Sequence, residues 1–475
     1  MASESGNSNL KNYIEKLRAT NEDRITLPTI VENILNTARE KECKLISFEK
    51  SYYIQKGNNP VALFHLNIDN PSDVSFYYSD SHNKESVYSE TNINLVSSAL
   101  IVSYLLMYSD SSFDILISYS NIQSKIEDYK EITSMLRTDN VINLNLRQAD
   151  ALADEFSNLL LSLTTIPVKR FKPDFAYKTY KLSLDNLMGG HAGDNINKVR
   201  KNSIKMIIGF FRKLKSKVDL EMVSIAGGDR YDNIPAFASL EFIINTVFEN
   251  DLMNAFEIFK NEAIEKNLRY EPDMVFRCEE IENKELLPIT SESFSHLASF
   301  VELCPSGTFA VNSIDNQVIS SSNLATIRSL KTSINMIVVL RSLTEEGIRQ
   351  MLEKSNLAAN IANSKFEEKL FIPSFKNKDN SLTRVFSNAY KELYDCDIEV
   401  IKSQYSLDSS IVFKNLNVKM ISLGVKYKQD EKYFYSQLDD ISKIINLIEN
   451  VLYRIRQSRS DYDRNIWYTR PWSNI

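Results

Sequence analysis

DNLMGGHAGDNINKVR, from Asp185 to Arg200, gathers three glycines around His191 in a chain that otherwise avoids glycine. Only 11 of the 475 residues are Gly, well below the usual share of about 7%. Each therefore marks a place where the backbone needs positive φ or a close approach. Two readings of the turn follow from the residues alone. It presents an imidazole to a ligand, or it is a tight turn whose histidine is satisfied by local hydrogen bonds.

Outward from this turn the pattern is β-rich. From Tyr180 strands accompany two amphipathic helices, Asn197 to Lys217 and Leu252 to Leu268. Strand, helix, strands, helix is the order of a ferredoxin-like split βαβ unit. Further strands are expected between Glu302 and Ser342, and a helix from Glu345 to Asn363. The polar KNKDNS after Phe375 reads as a return linker. On either side the chain has a different character. Helical periodicity in Lys11 to Ala19 and Pro28 to Lys41 precedes strand-like runs at Leu45 to Gln55 and Val61 to Ile68. A buried helix (Asn94 to Tyr108), a strand (Asp114 to Tyr119), a helix (Lys125 to Leu136) and a strand (Val141 to Leu146) come next. Leu382 to Tyr394, Val418 to Val425 and Leu438 to Arg456 rejoin that pattern. Alternating strands and helices predict a parallel or mixed sheet covered on both faces. The expected fold class is α/β: a discontinuous domain, 1–177 and 379–475, interrupted by an inserted α+β domain, 178–378. No internal repeat is evident.

Composition narrows the function classes. A chain of 475 residues exceeds the size at which one core stops growing, so two cores are expected. The net charge of −6 and the lack of a basic block argue against nucleic-acid binding. No apolar run reaches the roughly 18 residues of a membrane span, and MASESGNSN lacks the features of a signal peptide. Cys43, Cys278, Cys304 and Cys396 share no metal-finger spacing and read as free thiols. A cytoplasmic location is the expectation.

The Asp185–Arg200 stretch resembles the signature that opens the lid domain of the aminoacyl-histidine dipeptidases, peptidase T-like two-zinc metallopeptidases. There a GGHSG-like turn is followed at helical spacing by an Ile and an Arg, where Ile196 and Arg200 stand. GGDRYDNIPAFA, Gly227 to Ala238, resembles the family's Asn-x-Ile-Pro segment. SSSNLATI, Ser320 to Ile327, resembles its Asn-Leu-Gly segment, with Asn323 retained and Ala325 in place of glycine. VVLRSLTEEG, Val338 to Gly347, resembles the strand that ends in Arg-Ser, with Arg341 at the arginine. The resemblance implies a metallopeptidase-like α/β domain, a ferredoxin-like lid able to form a homodimer, and zinc as cofactor. It also implies that His191 holds a carbonyl oxygen and Arg341 a substrate carboxylate.

A two-zinc hydrolase needs carboxylates and imidazoles to balance the metal charge, and a carboxylate to shuttle the proton. The resemblance assigns these groups to five places. At the His-x-Asp strand FHLNID keeps His65 but has Asn67 in place of the acid. At the bridging aspartate, TNINLVSSAL has Asn92 to Asn94. At the Glu-Glu pair stand Ser120, Asn121 and Ile122. At the strand acid, VINLNL has Asn145, and at the last histidine VIKSQYS has Lys402. A neutral amide neither balances metal charge nor raises a ligand's basicity. His65 is the only retained metal candidate, so no cofactor is expected. The expected function is a catalytically inactive relative, a pseudoenzyme serving as a binding or structural component. The alternative is an active cytosolic Xaa-His dipeptidase with non-standard ligands.

Three features remain. Asp69, Asp73, Asp80, His82, Glu85 and Glu90 crowd one loop, a cation site or a solvated acidic loop. His296 lies within the lid and reads as structural. Asp461 to Ile475 holds both tryptophans, Trp467 and Trp472, with Tyr462, Tyr468, Arg464 and Arg470. These residue types dominate binding hot spots, so this tail either recruits a protein partner or docks on its own domain.

Overall fold

The computed structural model describes residues 2–19, 25–49, 51–68, 75–79, 85–119, 127–282, 286–405, 407, 409–430 and 433–469. The chain forms two compact units. The first comprises Met1–Glu155, Phe375–Ser403 and Leu407–Ile475; the second comprises Phe156–Ser374 together with Gln404–Ser406. The leading boundary thus falls at 155/156, ahead of the 177/178 expected from composition. The physical reason is the strand Asn158–Pro167, which pairs along its length with Ser333–Ser342 and, on its other edge, with Lys365–Ile372. Its hydrogen bonds commit it to the second unit, although its apolar residues read equally well as the end of an α/β domain. The trailing boundary falls at 374/375, not 378/379, because Phe375–Lys376 joins the sheet of the first unit.

The first unit is built on a mixed sheet. Leu63–Ile68 lies between Phe113–Tyr119 and Asn140–Asn143, parallel to both, and Lys419–Leu423 continues parallel beyond Asn140–Asn143. Ser51–Lys56 and Lys44–Phe48 extend one side in antiparallel sense. The helix Ile93–Tyr108 is apolar on nearly every face and buried from Ile93 through Leu106, as expected for a helix enclosed by its own domain. Asn92 starts it, its side-chain oxygen accepting from the backbone N–H of Leu95 at 3.2 Å. A smaller antiparallel sheet joins Ile25–Thr26, Ser75–Ser79, Ser86–Ser89, Phe434–Gln437 and Lys428–Gln429. The final helix runs Leu438–Thr469, well past the Arg456 expected from periodicity. Trp467 is on its last turn, and Trp472 lies outside the described residues.

The second unit answers the repeat question differently from the sequence. Its sheet runs Val275–Ile281, Tyr177–Asp185, Ala238–Asn245, Leu220–Gly227, Val318–Ser329, Ser333–Ser342, Asn158–Pro167, Lys365–Ile372. Numbered by chain order within each half, the strands read 4-1-3-2 and then 2-3-1-4. Each half is therefore a ferredoxin-like split βαβ unit, and the first is inserted between the opening strand and the first helix of the second. The halves meet where Ala226 and Gly227 pair with Arg328 and Ile327. Glycine is required there: a Cβ on Gly228, at φ +66°, would lie 1.9 Å from the Ala325 carbonyl oxygen. A duplication of topology, without duplication of sequence, leaves no periodic signal to find. The helices Ser203–Lys215, Glu249–Asn267, Ser291–Leu303 and Glu345–Ile361 share one apolar core with the sheet, centred on residues such as Phe211, Phe242, Leu297 and Met351.

Candidate functional site

In the first unit the site begins at the carboxyl ends of parallel strands, where ligands of α/β sheets ordinarily bind. His65 faces Asn143 in register, and Asn67 faces Ser118. The imidazole is buried, with Nδ1 2.7 Å from Ser409 Oγ and Nε2 2.8 Å from Ser118 Oγ. The Ser118 hydroxyl donates to Asn67 Oδ1 at 3.0 Å. Its oxygen is then left to accept from Nε2–H, and Nδ1 accepts from the Ser409 hydroxyl. The result is one directed chain: Ser409 to His65 to Ser118 to Asn67. Asn67, at the expected carboxylate position, thus reaches the histidine through a serine. Phe413 lies edge-on to the ring at 5.7 Å, and burial lowers the imidazole's pKa from its usual 6.5 to about 3. His65 is neutral at any physiological pH.

Of the other predicted positions, Asn145 joins an amide and hydroxyl network with Asn143. Asn143 Oδ1 accepts from the Asn145 backbone N–H at 2.9 Å and from Ser422 Oγ at 2.7 Å. Ser98 Oγ donates to the Leu144 carbonyl at 2.8 Å and stands 3.4 Å from Asn145 Oδ1. Asn92 is the helix cap already described, and Asn94 is buried beside it. Lys402 Nζ stands 3.7 Å from Glu155. Asn121, with Ser120 and Ile122, lies outside the described residues, as do Asp69, Asp73, Asp80 and His82 of the acidic loop. Glu85 of that loop is engaged by Lys11.

A pair of zinc ions calls for imidazole, thiolate and carboxylate donors. Among the described residues no group of three or more His, Cys, Asp or Glu side chains is placed to hold a metal. Both nitrogens of His65 already serve hydroxyls. Among the described residues the donor set at this position does not fit a two-zinc centre.

In the second unit the four stretches quoted for the lid converge. Gly190 and His191 pair with Ile234 and Asn233, and the Ala192 N–H donates to the Asp232 carbonyl at 2.7 Å. Asn323, buried, donates through Nδ2 to the Asn233 carbonyl at 2.6 Å, so it braces the strand opposite His191. The turn carries Gly190 at φ +105°, with Arg200 bonded to the Gly189 carbonyl. Glu271, buried, accepts the Met188 N–H at 2.6 Å and the Lys201 N–H at 2.7 Å, clamping the two ends of the turn.

His191 itself is 9% exposed. Its Nδ1 accepts from the Gly193 N–H at 3.0 Å, which places the proton on Nε2 and makes the 3.7 Å approach of Asp194 to Nδ1 a contact without an ion pair. Nε2 stands 4.0 Å from Asp232 Oδ2. Burial raises the Asp232 pKa, but the two hydrogen bonds and the charge of Arg230, with a contribution from His191, outweigh it and leave the carboxyl below its usual range. Arg341 is fully buried; burial lowers its pKa, opposed by the electrostatic pull of Tyr405, Tyr231, Asp232 and Asp194. The two remnants expected from the sequence, His191 and Arg341, therefore share one charged corner. His296 is elsewhere, 3.3 Å from Asn363 Nδ2.

The corner also contains residues the sequence did not flag. Tyr405 is stacked on His191, and Asp194 and Asp232 complete the charge balance. Tyr405 lies in VIKSQYS, where the resemblance implies a histidine and none stands. Ser118 and Ser409 carried no signal, because serines on a strand and after a loop are unremarkable until a histidine is seen between them.

No known family profile matches the chain. A cytosol non-specific dipeptidase of Escherichia coli is 24% identical over 250 residues, covering 51% of this chain and 49% of that protein. The match thus spans about half the length of that relative. The aminoacylhistidine dipeptidase of Vibrio alginolyticus superposes with a TM-score of 0.67 across 94% of this chain and 96% of its own, at 16% identity. Aminopeptidase PepT of Bacillus cereus superposes at 0.48, with 10% identity. The fold is that of the Vibrio aminoacylhistidine dipeptidase. The resemblance to the aminoacyl-histidine dipeptidases holds.

Proposed function

We propose that this chain is a non-hydrolytic relative of the zinc dipeptidases, acting as a binding or structural component through its surviving ligand corner. The observation that carries this reading is the chain Ser409–His65–Ser118–Asn67, which commits both imidazole nitrogens to hydroxyls where a hydrolase needs a metal ligand. On this reading the protein holds no resident zinc. His191, Asn323 and Arg341 form a ligand-binding remnant in which His191 would hold a carbonyl oxygen and Arg341 a peptide carboxylate. The location is cytoplasmic, in keeping with the described helices, none of which is long and apolar enough to cross a membrane. A protein partner engaging the Trp467 and Trp472 tail, and a homodimer through the inserted unit, belong to the same proposal.

A second reading is supported by the activities of the relatives. The E. coli and Vibrio proteins are dipeptidases, which favours an active metallo-dipeptidase with ligands from other positions. Elemental analysis of protein purified without chelators, coupled to an assay for histidine release from Xaa-His dipeptides, separates the two. The first reading expects far less than one zinc per chain and no release. Stoichiometric zinc with turnover establishes the second.

A further inference from the structure

Tyr405 has an unusual place in the chain. Gln404–Ser406 groups with the second unit, whereas the residues immediately before and after group with the first. This short excursion is anchored: Gln404 Nε2 donates to the Val318 carbonyl at 2.6 Å, and Ser157 Oγ donates to the Gln404 carbonyl at 2.7 Å. Its consequence is to deliver one aromatic ring to His191. The rings are parallel, 4.4 Å between centres and 11° between planes. The Tyr405 hydroxyl donates to Asp194 Oδ2 at 2.6 Å, three residues along from His191 in the same turn.

A corner built to receive an anionic ligand keeps a cation and a donor available to it. Here the chain supplies its own complement to both. One face of the imidazole lies under the phenol, Nδ1 accepts from the Gly193 N–H, and the phenol is held in place by its bond to Asp194. The stack and the charge-assisted hydrogen bond each favour this arrangement. Both must be given up before a ligand reaches the same face.

We propose that Tyr405 is an internal ligand of the His191–Arg341 corner, and that a small carboxylate-bearing molecule of the amino-acid or dipeptide class binds there only when Tyr405 is displaced. This inference rests on the reading of the corner as a ligand-binding remnant. Affinity for such a molecule is then reduced by the fraction of time the corner is closed.

Tyr405→Ala and Tyr405→Phe are compared with the unaltered full chain by calorimetric titration with alanyl-histidine, with zinc omitted. The Ala variant is expected to bind at least about tenfold more tightly, and the Phe variant a few-fold, since it keeps the ring and loses the bond to Asp194. Arg341→Lys combined with Tyr405→Ala is expected to remove the gain. Equal binding by the unaltered and Ala forms, or binding by neither, overturns the proposal. A second measurement needs no stable variant: proton NMR of the unaltered protein is expected to show His191 ring protons moved upfield by the overlying phenol, and unshifted resonances overturn it. Hydrolysis of the dipeptide by zinc-loaded protein is a separate outcome. It refutes the non-hydrolytic reading while leaving the Tyr405 comparison to stand on its own affinities.

Discussion

The two units each carry one conspicuous buried histidine, and the pair have met opposite fates. His65 sits in a neutral environment, its nitrogens both serving serines and its pKa pushed down to about 3. His191 sits beside two carboxylates, those of Asp194 and Asp232. In the first unit amides stand where the resemblance implies carboxylates, and the histidine is taken into the core's hydrogen bonding. In the second the charges persist and compensate one another. The two histidines are thus accommodated differently, because a neutral network is easier to bury than an unbalanced set of charges.

The sharpest way to break this contrast is to remove His65. Its replacement by alanine strands the buried hydroxyls of Ser118 and Ser409 and opens a cavity, for an expected loss of about 4 kcal/mol. Urea unfolding of His65→Ala reads this directly. A loss below about 1 kcal/mol contradicts a core role and makes the residue available for something else.

Acid gives the next largest effect, and its sign follows from the depressed pKa. Between about pH 6.5 and pH 3 the unfolded chain binds a proton at this histidine that the folded chain refuses, so stability is full above the unfolded value and is lost as pH falls through that window. The expected loss from this one group between roughly pH 7 and pH 4.5 is about 2–3 kcal/mol. Unfolding measured across that range in the native protein and in His65→Gln isolates the contribution. A parallel fall in both removes His65 from the account.

A smaller effect tests the other side of the comparison. Glu271→Gln weakens the clamp on the Met188 and Lys201 amides, with an expected cost of about 1–2 kcal/mol. Hydrogen exchange is expected to quicken at those two amides and through the turn between them, and to stay unchanged around His65. Uniform quickening throughout the chain contradicts a local clamp.

How much of this was legible in the sequence depended on whether function was written in residue types or in pairings. The glycines about His191, the Asn-x-Ile-Pro stretch, Asn323 and Arg341 were readable as one site through the resemblance to the aminoacyl-histidine dipeptidases, whereas the residues alone left the role of the turn open. The ferredoxin-like order of the inserted unit was readable from strand and helix periodicity. The strand Asn158–Pro167 was not: its assignment is made by partners more than 150 residues away. The doubling of the split βαβ unit was hidden because its two halves share strand order without an evident sequence repeat, and the opening strand of one half precedes the whole of the other. Tyr405 was hidden for a related reason, since a tyrosine becomes a ring over His191 only through a three-residue change of unit.

The central claim is that His65 has no nitrogen to offer a metal, and nitrogen NMR of protein labelled at histidine examines it most directly. The account predicts a neutral imidazole with its proton on Nε2, unchanged from about pH 8 down to pH 5 and unchanged on adding equimolar zinc. A His65 nitrogen resonance that moves stoichiometrically with zinc would contradict it.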